Sequence, residues 1–496
     1  MKRLIIISAI VNILCFSSYS NSWKGVGTED DPYLISTSQH LVELAEEVNN
    51  GTDFHDEFFS LTNDIDLSDV CGNSLGNWAP IGSVNNYFDG TFLGNNHTIS
   101  NLYINASGNN TYYGLFGHVG EGGAIYDLTI NNGSVYSTFW SGGIAASNSG
   151  LISNCKNINC NVDSWHYSGG ICGANFNTIT NCTNQAEVYS SLCSGGICAY
   201  NYGSISNCTN KNSITANEGC GGICGYNGGF ADISNCYNVR IGFIDNCSNY
   251  SSILGKEKIG GIAGRNDGFI VNATNNGEIN GDQQIGGIAG TNGGFDGVTG
   301  NLSKSFNIGN VLGKNTSTGG IVGYGNQASE ILNVYTTDNI HCVSSSITDY
   351  IGEENGLKDN CFTINQHSDS TVLNFIVDQL NQWIDLQSNP DSYFGWEIKD
   401  DYIVTKENSD SHGSTTKTKP YKNKNEIKIF YGKGNLYIFS PTKQTINVYS
   451  VTGKAIRSVD LSANAMARIQ IERGVYIVNG QKVWLTDTNL LYSLHI

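Results

Sequence analysis

A short glycine phrase returns through the middle of this chain, from Tyr113 to about Val343. It reads YGLFG at Tyr113, SGGIA at Ser141, SGGIC at Ser168 and Ser194, GGICG at Gly221, IGGIAG at Ile259 and Ile285, and TGGIVG at Thr318. Counted between the second glycines, at Gly143, Gly170, Gly196, Gly222, Gly261, Gly287 and Gly320, the steps are 27, 26, 26, 39, 26 and 33 residues. Self-similarity at this period restricts a chain to stacked units, each burying its apolar face only against its neighbours. Within one unit, SGGICAYNYGSISNCTNKNSITANEGC from Ser194, the apolar positions Ile197, Ile205 and Ile214 stand apart, separated by glycine, asparagine and serine. That pattern is too interrupted for a helix, and β-branched residues between turn formers read as short strands. About three strands per unit, with Ile144, Ile171, Ile197, Ile223, Ile262, Ile288 and Ile321 in register, predict the coils of a parallel β-solenoid. The 39-residue step is read as a unit plus an extra half unit, IGFIDNCSNYSSI, and the 33-residue step as a unit with a longer loop, DGVTGNLSKSF.

The flanks are read as ends for such a stack. Residues 1–20, MKRLIIISAIVNILCFSSYS, place Lys2 and Arg3 before an apolar run with small residues at a cut before Asn21, the pattern of a secretory signal peptide. Residues 21–112 form the N-terminal cap and first coils. Leu41, Leu44, Ala45 and Val48 share one helical face there, with Ser36, Thr37 or Ser38 as N-cap and Gly51 as stop. A helix laid over the first coil would shield its open strand edge. After the repeats (113–343), residues 344–406 supply the closing cap, with Val372, Phe375, Ile376, Leu380, Trp383 and Ile384 on one helical face and FGWEIKDDYIVTK as a strand pair. A polar linker, 407–426, leads to residues 427–496, whose short alternating runs predict a small antiparallel β-sandwich.

Charge is divided between these parts. Before Ser414 the chain holds 14 basic and 40 acidic residues, and from Ser414 onward 12 and 4, so a body of about −26 carries a tail of about +8. An acidic body excludes nucleic acid as the expected partner.

The ordered series GTEDDPYLIST, NDIDL, WAPIG, FDGTFLGNNHTISNL, YGLFG and the GGIAG units, spanning about Trp23 to Lys406, resembles the GLUG-repeat surface proteins of bacteria, many from Bacteroidetes. The resemblance implies a right-handed parallel β-helix and a cell-surface, adhesive role, and it implies no catalytic residues. NVYSVTGKAIRSV followed by GVYIVNGQKVWL is similar to the C-terminal sorting domain of type IX secretion cargo, which implies that the outer-membrane secretion machinery is a partner. Here TDTNLLYSLHI continues past the last strand, where such domains usually end on a basic residue.

Several of the residue types that could carry chemistry fall in columns. Fourteen cysteines follow the signal segment, with Cys172, Cys198 and Cys224 in one column and Cys155, Cys182, Cys208 and Cys236 in another. Alanine or valine takes these places in sister repeats, which favours small packing side chains over disulfides, and either over metal, for which no converging Cys and His spacing exists. An asparagine column, Asn148, Asn175, Asn201, Asn227, Asn266 and Asn292, reads as turn residues with stacked amides, or less favourably as a sugar-binding row. The repeat acids Asp127, Asp163, Glu187, Glu218, Asp232, Asp267, Glu278 and Asp282 occupy different repeat positions and assemble no carboxylate pair of the kind glycosidases need. Tyr136, Phe139, Trp140, Trp165, His166, Tyr167 and Tyr189 recur in the third segment of successive units, and ligand binding is placed on Trp140, Trp165, Tyr167 and Tyr189. The expected protein is an all-β, exported or surface-anchored monomer without cofactor, metal or catalysis, binding a host or matrix glycan or protein. A carbohydrate-active β-helix enzyme and a passive surface element are the alternatives.

Overall fold

The computed structural model describes residues 22–107, 112–233, 236–240, 242–293, 300–314 and 317–325, and beyond these the strands and helical positions named below. The signal segment, the linker and most of the closing helix lie outside the described residues.

The repeats coil into three parallel faces. One face stacks nine short strands that follow the glycine phrase, from Phe116–Val119 through Cys172–Asn175, Cys198–Asn201 and Cys224–Asn227 to Ile351–Glu353. A second stacks twelve, from Tyr33–Ile35 to Leu357–Asp359. The third is a broad sheet to which each coil gives two or three segments, such as Lys156–Ser164 and Tyr167–Gly169. All inter-coil ladders in these three sheets are parallel, and the backbone amide of each phrase isoleucine donates to the carbonyl of the next, Ile171 to Ile197 at 3.1 Å and Ile197 to Ile223 at 3.0 Å. The isoleucines predicted to stack do so.

Two cores run along the coil axis. The larger holds columns such as Ile125, Ile152, Ile179, Ile205, Ile244 and Ile270, all fully buried. A smaller one, from Val188, Ile214, Ile253, Ile279 and Val311 with Cys220, Ile259 and Ile285, fills the bend of the third face. The sequence pattern, read as one interior, does not separate them. At the corner between the second and third faces the backbone turns through positive φ at Asn154, Asn181, Asn207, Asn246 and Asn272, at 50 to 56°. Asparagine tolerates this left-handed region where other side chains are strained, so it recurs there.

The long step is built differently from the expectation. IGFIDNCSNYSSI is an ordinary coil: Phe243–Asp245 pairs with Ser204–Ser206 and Ser248–Asn249 with Thr209–Asn210. The surplus is an antiparallel hairpin, Gly229–Ile233 with Cys236–Arg240, extruded after Asn227. The second cysteine column is therefore Cys155, Cys182, Cys208 and Cys247, and Cys236 belongs to the hairpin instead.

At the start, Ser38–Asn49 is helical, Thr37 accepts from the His40 amide as N-cap, and Gly51 at φ +108° follows the helix. Its buried stripe of Leu41, Leu44, Ala45 and Val48 joins the same core as Ile35 and Phe59. At the other end Trp396–Lys399 pairs antiparallel with Tyr402–Thr405. Trp396 is fully buried, and its indole N–H donates to Asn246 Oδ1 at 2.7 Å, so this segment reaches the flank of a mid-chain coil. From Lys428 onward the strands form two antiparallel sheets of three and five strands.

Candidate functional site

The columns that looked most like ligand sites are interior. Asn148, Asn175, Asn201, Asn227 and Asn266 each pass one amide bond to the next coil, Nδ2 to Oδ1, at 2.7 to 2.9 Å, and Asn292 receives the last. All six asparagines of this column are fully buried. A second ladder, Asn184, Asn210, Asn249, Asn275 and Asn307, does the same at 2.8 to 3.0 Å. A third runs through the left-handed corner, from Asn272 to Asn246 and from Asn246 to Asn207. Within the first two ladders each inner amide both donates and accepts, so these amides satisfy one another and are spent on structure, while Asn272 Oδ1 in the third has no partner among the described residues.

The described cysteines are free and buried. Cys172, Cys198 and Cys224 stand in register with Ala263, Ala289 and Val322. Burial pushes the Cys160 thiol up to about 12, so this group stays protonated at neutral pH. Among the described residues no group of three or more His, Cys, Asp or Glu side chains is placed to hold a metal ion.

A row of half-buried aromatic rings runs from coil to coil. Trp140 and Tyr167, paired in adjacent coils, stack with ring centroids 4.2 Å apart and planes at 30°. Tyr200 meets both edge-on, at 5.5 and 5.1 Å, and Tyr226 follows 5.0 Å further on. The Arg265 guanidinium then lies 5.9 Å from the Tyr226 ring. Tyr200, Tyr226 and Arg265 occupy one repeat position, the residue before the buried asparagine, and are in register with Ala174 before them and Thr291 after. The run from Trp140 to Arg265 thus crosses five successive coils.

Charges border this stripe in two groups, Lys258 between Glu218 and Glu257, and Arg265 with Asp267. Glu218 accepts from the Tyr226 hydroxyl at 2.8 Å and from the Lys258 ammonium. Burial alone would raise the Glu218 carboxyl, but those hydrogen bonds and the neighbouring cations hold it below the ordinary value. Arg265 binds Asp267 at 2.6 Å, and Asp267, 1% exposed, is nonetheless raised because burial outweighs that pairing. Four buried polar atoms beside the stripe have no hydrogen-bond partner among the described residues: Arg265 Nε, Asp267 Oδ1, Thr291 Oγ1 and Gln284 Oε1.

Of the four residues singled out from the sequence, the fold brings Trp140 and Tyr167 together. Trp165 (61% exposed) and Tyr189 (45%) project elsewhere, and neither makes a ring contact with a described residue. His166 is turned back onto the Thr138 carbonyl at 2.7 Å. Sequence reasoning missed Tyr200, Tyr226, Arg265 and Lys258, and set Glu218 aside among scattered acids. The signal available was the tyrosine recurring directly before the asparagine column.

Comparison with known proteins agrees with the repeat reading. Residues 190–215, one coil bearing Tyr200, match the GLUG motif. The chain is 34% identical over 133 residues to a provisionally named Gly-rich membrane protein of Evansella cellulosilytica, covering 26% of this chain and 15% of that protein. It is 35% identical over 141 residues to halomucin of Haloquadratum walsbyi, covering 28% of this chain and 2% of that one. The chain therefore spans a small part of these relatives' lengths. A crystal structure of a provisionally named immunoglobulin A1 protease from Bacteroides ovatus aligns over 77% of this chain and 94% of its own, at 18% identity and a TM-score of 0.41, too loose a likeness to bear on the site.

Proposed function

We propose that this chain is an exported, surface-attached binding protein, adhesin-like and without catalysis, whose coiled body presents the aromatic stripe to a host or matrix partner. The observation that carries the reading is the stripe itself: a continuous row of half-buried rings from Trp140 to Tyr226, each keeping part of its surface in solvent, on stacked coils whose asparagine ladders are spent internally. Aromatic side chains supply large contact area at low conformational cost, which suits them to recognition. The naming of one relative as a membrane protein supports a surface location. The right-handed sense of the coil, end caps formed by the helices and packing of the two C-terminal sheets into a sandwich belong to the same proposal. So do an origin in a Bacteroidetes-type bacterium and delivery by the C-terminal module through a type IX route, after removal of the signal segment.

The test is attachment of cells. Cells producing the chain should adhere to plates coated with host or matrix material more than cells lacking it, and Trp140→Ala should abolish the difference. Deleting Ile427 to Ile496 should trap the protein inside the outer membrane. Equal adhesion with and without the chain would reject the binding role, unchanged surface exposure of the truncated chain would reject the delivery role, and product release from a polysaccharide panel would reject the absence of catalysis.

A further inference from the structure

We propose that the ligand of this stripe is a neutral polysaccharide lying along the coil axis, held by Trp140, Tyr167, Tyr200, Tyr226 and Arg265. The inference rests on the binding role above and deepens it. Three observations favour this chemistry over others.

The first is length and repetition. Five successive coils contribute one group each, so the run extends about 19 Å at the usual spacing of paired strands. A periodic row of contacts suits a periodic chain. The second is charge. Lys258 is shared by Glu218 and Glu257, and Arg265 is paired with Asp267, which leaves the stripe with no surplus cation, while the body as a whole carries about −26. A polyanion approaching this surface is repelled and finds no uncompensated cation row to repay it. The third is the pairing of rings with polar groups that keep some exposure. The apolar C–H faces of sugar rings stack on indole and phenol, and the hydroxyls at their edges both donate and accept, which suits Glu218 and Arg265 at the rim, whose side chains remain 34% and 22% exposed.

Affinity electrophoresis of the secreted full chain tests this. Gels containing hydroxyethyl cellulose, xylan or galactomannan are run beside gels containing alginate or hyaluronan. At least one neutral polymer should retard the protein and neither polyanion should. Trp140→Ala and Tyr226→Ala should weaken retardation about tenfold or more, Tyr226→Phe should retain it because the ring remains, and Trp165→Ala and Tyr189→Ala should leave it unchanged. Circular dichroism melts of each variant separate lost binding from lost folding. Retardation by polyanions alone, by no neutral polymer, or by neutral polymers but equally in the correctly folded Trp140→Ala and Tyr226→Ala variants would overturn the inference. If cells still adhere through the chain to protein-coated plates while no neutral polymer binds, the glycan assignment falls and the binding role stands.

Discussion

The opening coils and the regular coils solve the same packing problem in opposite ways. Between residues 54 and 119 the chain makes unequal excursions, and the gaps they leave are filled by interlocked rings. Phe54 and Phe59 lie 5.0 Å apart, Phe59 and Phe88 5.8 Å, Phe88 and Phe116 5.3 Å, and Phe92 and Phe116 5.4 Å. From Gly143 to Asn292 the interior instead repeats itself, isoleucine on isoleucine, cysteine on cysteine, amide on amide. Irregular backbone demands particular shapes at particular places. Regular backbone demands only that each layer match the next, so a small change in one layer is absorbed while a broken polar chain is not.

The largest effect that would sharpen this contrast is expected in the opening coils. Phe116→Ala should cost about 3–5 kcal/mol, because the ring touches two others and nothing can collapse into its place. Urea melting followed through the tryptophans Trp23 and Trp78 should show these coils opening at lower denaturant than the rest. A uniform single transition, shifted no more than in the substitutions below, would break the comparison.

Asn201→Ala should rank next. It removes the bond from Asn175 at 2.8 Å and the bond to Asn227 at 2.9 Å, and leaves neighbours buried and unmet, at about 1–3 kcal/mol for each group so stranded. Amide hydrogen exchange should rise in the coils on both sides of the substitution.

A pH effect follows from the buried thiols. The Cys160 value is raised in the folded chain to about 12, from 9.0. Above pH 9 the unfolded chain therefore releases protons that the folded one keeps, so stability is full below pH 9 and falls by about 1.4 kcal/mol per pH unit for each such thiol as pH rises toward its folded value. Lys304 acts with the opposite sign, since burial lowers it to about 8 and its penalty, present below that value, is relieved between pH 8 and 10.5. Melting temperature should fall above pH 9, and less steeply in Cys160→Ala.

The smallest change is expected for Cys198→Ala. Ala263 and Ala289 already occupy this column, so the loss should be about 1 kcal/mol, the scale of one buried methylene. A loss as large as that of Phe116→Ala would show that the regular coils are as particular as the opening ones.

The scaffold was more legible in the sequence than the surface it carries. Phrase spacing alone placed the stacked isoleucines, and apolar spacing placed the stripe of the first helix at Leu41, Leu44, Ala45 and Val48. The inserted segment is hard to place from sequence because Ile233-Ser234-Asn235-Cys236 copies the phrase Ile205-Ser206-Asn207-Cys208 that marks an ordinary coil, while Ile233 and Cys236 pair with each other in the hairpin. Only pairing decides which copy takes the column, and Ile244 takes it. Asparagine was assigned a left-handed turn role in the right residue type but the wrong column. The Asn148 series stacks amides at ordinary φ, and the left-handed residues are Asn154, Asn181 and their kin. The stripe escaped notice because its repeat position varies, Ala174, Tyr200, Tyr226, Arg265 and Thr291, and because Trp140 reaches Tyr200 across two coils, a contact no spacing within one unit encodes.

The coil register is the central claim, and one distance tests it most directly. Tyr136, Asp163, Tyr189, Thr215 and Leu254 stand in successive pairing positions, with Tyr136 and Leu254 both exposed. Nitroxides carried on unnatural amino acids at these two sites, 118 residues apart in the chain, should give a pulsed electron-resonance distance centred at about 19 Å, four strand spacings, widened only by the label arms. If IGFIDNCSNYSSI were an extra half coil, Leu254 would leave this face. A distribution centred well beyond that distance, or one with no defined centre, would contradict the stacked register on which the aromatic stripe depends.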